Sequence, residues 1–116
     1  MSDRRRVLLV EPRAQAARFL VDALFRSCEV IGVCSRAGEA IERLWHLDGA
    51  DIVIVADRLG GEMTGPQLLV FVAEHWPAVR RILLTGESLI ASRLADAIVR
   101  RPASPRDVLA AVERLA

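Results

Sequence analysis

Val7-Leu8-Leu9-Val10 is an unbroken aliphatic run that ends on a single acid, Glu11. A strand with one wet face alternates apolar and polar residues. A continuous run implies burial on both faces, as in a parallel sheet covered by helices. Three further runs end in the same manner on a chemically useful group. Asp51-Ile52-Val53-Ile54-Val55-Ala56-Asp57 ends near a carboxylate, and Arg81-Ile82-Leu83-Leu84-Thr85-Gly86 ends on a hydroxyl. Ala97-Ile98-Val99-Arg100-Arg101-Pro102 ends on a base followed by proline.

Helical periodicity fills the intervals. Pro12 is placed to open a helix reaching about Arg26, with Ala16, Phe19, Leu20, Ala23 and Leu24 as its apolar stripe. Glu29–Cys34 reads as a second strand, and Ser35 as the N-cap of a helix carrying Ala37, Ala40, Ile41, Leu44 and Trp45, closed by Asp48-Gly49. Ile52–Val55 is the third strand. A glycine-rich loop from Arg58 to Gly65 leads through Pro66 to a third helix with Leu68, Leu69, Phe71 and Val72 on its inner face, ended by Trp76-Pro77. Ile82–Leu84 and Ala97–Val99 are strands four and five. Ser104-Pro105-Arg106-Asp107 reads as cap, first helical residue and acidic third position of a last helix with Val108, Leu109, Val112 and Leu115 facing inward. Gly86 to Asp96 leaves eleven residues for a fourth helix and its loops, so that helix is expected to be about two turns or frayed. The alternation predicts βαβ units, a parallel five-stranded sheet in order 2-1-3-4-5 and right-handed crossovers. In such α/β sheets chemistry gathers at the carboxyl ends of the strands.

Composition narrows the function. One hundred and sixteen residues suit one domain spanning 1–116, and an apolar fraction of 53% excludes a disordered chain. A formal charge of +1 argues against nucleic-acid binding by phosphate neutralisation, and Arg4-Arg5-Arg6 reads as a solvated lead-in. Cys28 and Cys34 lack zinc-like spacing and are expected to stay reduced. No run is long enough to span a membrane and no signal-peptide core is present, so a cytoplasmic, membrane-free protein is expected. No Gly-x-Gly-x-x-Gly follows the first strand, and no catalytic constellation marks an enzyme. His46 and His75 sit near helix C-termini, where a base is favourable without catalysis, and Trp45 and Trp76 read as helix-end packing residues.

The order and spacing of the four strand ends, with Arg101-Pro102-x-Ser104-Pro105, resemble the receiver domain of two-component response regulators, the CheY-like fold of bacterial signal transduction. That resemblance implies a strand-three aspartate that accepts a phosphoryl group, two acids after strand one and a backbone carbonyl holding Mg²⁺, and a Thr and Lys contacting the phosphoryl oxygens. Metal and base are needed because a carboxylate must approach an anionic donor. Glu11 matches the first acid, Thr85 the hydroxyl. Pro12 falls on the second acid and offers no ligand. The chain has sixteen Arg and no Lys, so Arg101 takes the place of the lysine, a wide planar fork for a compact ammonium. Ile98 stands where the family often has a switching aromatic.

The acceptor position is open by one residue. Counting back from Met63-Thr64-Gly65 places Asp57 there; counting forward from Asp51 to Arg58-Leu59 places Ala56 there, and the second count is the preferred one. A one-residue slip turns a side chain to the other face, so both cannot face the cleft. The resemblance thus implies a degenerate pseudo-receiver. Glu11 and Asp57 form at most a weak or vestigial Mg²⁺ site, and no cofactor is required. The module would act through a histidine kinase, phosphotransfer protein or output protein. Its expected contact face is the fourth helix, strand five and last helix, with Arg93, Ile98, Arg100, Arg106 and Glu113. Two alternatives remain: a true receiver phosphorylated on Asp57, and a flavodoxin-like domain binding a small ligand in the strand-end cleft.

Overall fold

The computed structural model describes residues 4–47, 49–86 and 93–115. Five strands form one parallel sheet in the order β2-β1-β3-β4-β5: β1 (Arg5–Val10), β2 (Cys28–Cys34), β3 (Ile52–Ala56), β4 (Arg80–Thr85) and β5 (Ala97–Arg100). Four helices, α1 (Ala14–Leu24), α2 (Ala37–His46), α3 (Gly65–His75) and α4 (Pro105–Arg114), complete a doubly wound flavodoxin-like architecture among the described residues. The expected helix between β4 and β5 falls largely on residues 87–92, outside those described.

Alternation along the strands divides the core in two. Val7, Leu9, Ile52, Ile54, Ile82, Leu84, Ala97 and Val99 pack against α1 and α4. Leu8, Val10, Val53, Val55 and Leu83 pack against α2 and α3. All five residues of β3 are buried, which is why its sequence shows no polar alternation. The two sheet faces therefore explain the continuous apolar runs directly.

Helix ends follow local chemistry, with two departures from expectation, and two further expectations are revised. α4 begins as read: the Ser104 hydroxyl accepts from the Asp107 N–H, and the Asp107 carboxylate accepts from the Ser104 N–H. Thr64 and Gln67 form the same reciprocal box at α3. Gly49, at φ +88°, closes α2 as expected and donates its N–H to the Leu44 carbonyl. Pro12, however, lies ahead of α1 rather than in its first turn, because the Glu11 carboxylate holds the Arg13 N–H and fixes the helix start there. Ser35 does not cap α2; its hydroxyl donates to Glu39 Oε1 at 2.8 Å. The α1 stripe is Ala17, Leu20 and Leu24, with Phe19 exposed and Ala16 half-buried. The basic lead-in is also structural: Arg5 and Arg6 belong to β1, and Arg4 donates to the carbonyls of Phe25 and Cys28.

Candidate functional site

The carboxyl edge of the sheet carries two polar pairs. Glu11 follows β1, and its N–H extends the ladder to the Cys34 carbonyl at 2.8 Å. Its side chain is only 1% exposed, yet it is fully partnered. Arg101 Nη2 donates to Glu11 Oε1 at 2.5 Å, and the Arg13 N–H donates to Oε2 at 3.1 Å. The Arg13 guanidinium stands 3.5 Å from Oε1. Burial of a carboxylate is tolerable only with such charge-assisted partners. Arg101 is carried there by β5, its N–H donating to the Thr85 carbonyl, and precedes a cis peptide bond to Pro102.

The second pair is Thr85 and Asp57. The Thr85 hydroxyl, on a residue only 4% exposed, donates to Asp57 Oδ2 at 2.8 Å. Asp57 directly follows β3 and is anchored through its backbone: its N–H donates to the Leu84 carbonyl and its carbonyl accepts from the Gly65 N–H. Gly65 is required by space, since a Cβ there would sit 2.0 Å from the Ala56 carbonyl oxygen. Ala56 closes β3 with 2% exposure. Strand alternation accounts for the sorting: Glu11 and Arg101 continue the face of Leu9 and Val99, whereas Asp57 and Thr85 continue that of Val55 and Leu83.

Glu11 and Asp57 carry the carboxylates that an Mg²⁺ ion would need, and both are engaged by protein donors. The ion demands near-octahedral oxygen ligands, usually more than one carboxylate or phosphate among them. Glu11 is already neutralised by a guanidinium at 2.5 Å, Pro12 supplies nothing, and Asp57 is engaged by a hydroxyl. Among the described residues no cluster of three His, Cys, Asp or Glu could hold a metal.

The other expected residues lie elsewhere. Arg93 is exposed in the turn before β5, Ile98 is half-buried on β5, and Arg100, Arg106 and Glu113 are exposed on β5 and α4. His75 stacks on Phe71 at 4.0 Å between ring centroids, and Trp45 packs edge-on against Trp76 at 4.8 Å while remaining 60% exposed. Cys28 and Cys34 are buried free thiols, and burial pushes both pKa values up. Among the described residues, no helix is long and apolar enough to cross a membrane. The direct Glu11–Arg101 bond and the contribution of Arg13 were not evident in the sequence. The only signal for Arg13 is a base two residues beyond a strand-end acid.

This arrangement of sheet and helices is the receiver fold. The signal receiver domain of an HD domain-containing protein from Pseudomonas fluorescens Pf-5 is similar over 99% of this chain and 88% of that one, with TM-score 0.84 and 24% identity. The isolated REC domain of RcsB from Salmonella enterica serovar Typhimurium, solved with the phosphomimetic BeF3⁻, matches 97% of this chain and 90% of that chain at TM-score 0.84 and 22% identity. RcsB from the same organism bound to promoter P1flhDC with BeF3⁻ matches at TM-score 0.86 and 22% identity, covering 97% of this chain and 60% of that one. No family model and no curated protein matches the sequence.

Proposed function

We propose that this chain is a receiver-type signalling module of a two-component pathway that works by protein–protein contact, without efficient Mg²⁺-dependent aspartyl phosphorylation and without enzymatic activity of its own. One observation carries this reading: the buried Glu11 carboxylate is bonded to Arg101. The acid that would bind metal and the base that would meet a phosphoryl group neutralise each other. Asp57 is assigned as the vestigial acceptor, supported by its bond from Thr85. The same bond favours a second reading, in which Asp57 is phosphorylated by a histidine kinase.

Function then resides on a surface, and the exposed set Arg93, Arg100, Arg106 and Glu113 is mainly basic. It suits an acidic patch on a kinase, phosphotransfer or output protein; with a net charge of +1, no nucleic-acid role is assigned. Charge reversal at Arg93 and Arg106 together should weaken partner capture and reduce its salt sensitivity, while leaving the melting temperature nearly unchanged. Capture that survives this change but is lost on substituting exposed α1 residues would move the functional face.

A further inference from the structure

The cleft between α1 and the β5–α4 connection has an apolar body and a charged end. It encloses about 450 Å³. Phe19, Leu20, Leu84 and Ala103 supply much of the apolar wall. Phe19 lies off the inward α1 stripe, is 36% exposed and lines the cleft. Glu11, Arg13 and Arg101 form the charged end, two guanidiniums around one carboxylate, with a net charge of +1.

The three charges are not equally committed. Glu11 and Arg101 are joined at 2.5 Å, with side chains 1% and 22% exposed respectively. The Arg13 side chain is 63% exposed and its guanidinium stands 3.5 Å from Glu11, beyond the length of a strong charge-assisted bond. An arginine fork has five donors, so this loose pairing leaves capacity for a second carboxylate.

We propose that this cleft binds a small amphipathic carboxylate, its aliphatic or aryl body against Phe19, Leu20 and Leu84 and its head on Arg13. A cation would meet a net positive end. An uncharged ligand would leave the fork without a counter-charge, and a polyphosphate would be driven against the buried Glu11. A body of roughly eight carbons suits the space, which lies within the usual range for small-ligand pockets. The site stands apart from the signalling proposal, because the cleft is present whether or not Asp57 takes phosphate.

Octanoate titrated into the intact protein, followed by calorimetry and amide shifts, tests this directly, with 1-octanol and octylammonium as equal-length comparisons. Saturable octanoate binding is expected, with shifts at Phe19, Leu20 and Ala103. Arg13→Ala should weaken it roughly tenfold, the scale of one lost charged contact, without affecting octanol. Filling the cleft by Ala103→Phe, or independently by Ala16→Phe, should abolish binding in variants that keep the native melting transition. The proposal is overturned if octanol or octylammonium binds as tightly as octanoate, if folded filling variants bind normally, or if octanoate shows no saturation at millimolar concentration.

Discussion

Replacing Arg101 by methionine isolates the pair on which the site depends. The stem is roughly preserved in shape, and the Glu11 carboxylate, 1% exposed, loses its 2.5 Å partner. Removing one member of a fully buried ion pair costs about 3–5 kcal/mol. Two features reduce that here. Arg101 is 22% exposed, and Arg13 remains with its N–H at 3.1 Å and its guanidinium at 3.5 Å from Glu11. A loss of about 2 kcal/mol is therefore expected, or a fall in melting temperature of roughly 6–10 °C for a domain of this size. Urea unfolding followed by the fluorescence of Trp45 and Trp76 measures it, with an unchanged slope showing that only stability moved. Glu11→Leu combined with Arg101→Met should recover most of the loss, because an apolar pair needs no charged partner. A cost for Arg101→Met below about 0.5 kcal/mol, or a double variant as unstable as the sum of the singles, would show that the Glu11–Arg101 pair does not supply this stability.

Two other substitutions test the supports of the site. Gly65→Ala should cost about 3 kcal/mol or more and disturb the Asp57 backbone, since its Cβ would lie 2.0 Å from the Ala56 carbonyl oxygen, and backbone cannot yield as a side chain does; thermal unfolding reports it. Ser104→Ala should cost about 1 kcal/mol at neutral pH through loss of the α4 cap. The backbone N–H of Ser104, then its hydroxyl, hold the Asp107 carboxyl below the usual range. A depressed folded-state pKa gives stability that is present above the ordinary aspartate value and lost as pH falls through the lower folded value. Alanine keeps the backbone N–H, so only the hydroxyl's share of the gap between wild type and Ser104→Ala should narrow on acidification below that ordinary value, as denaturant midpoints measured across the acid range would show.

The fold was legible because its signals are redundant. Four apolar runs each ended on a polar residue, and parallel burial on both faces leaves few other readings of Val7–Val10 or Ile52–Val55. The α4 start was legible for a local reason: Ser104, Pro105 and Asp107 each serve one position of a single turn. Single-contact features were harder to see. Ser35 looks like a cap, yet Glu39 four residues on captures its hydroxyl. Phe19 looks like core, yet helix rotation set by Ala17, Leu20 and Leu24 leaves it exposed. The Glu11–Arg101 bond joins residues 90 positions apart and arises from how the strand faces align, which no local pattern encodes. The one-residue choice between Ala56 and Asp57 was open for the same reason: the Gly60-Gly61 loop absorbs an insertion without leaving a trace in composition.

If Glu11 and Arg101 neutralise each other as proposed, no working phosphoryl site is left. Amide spectra recorded while beryllofluoride and Mg²⁺ are added together test it most directly, because the mimic does not hydrolyse. No saturable change is expected at Asp57, Thr85 or Arg101 up to millimolar metal. Stoichiometric, saturable shifts centred on those three residues and abolished by Asp57→Ala would contradict it and establish a working receiver instead.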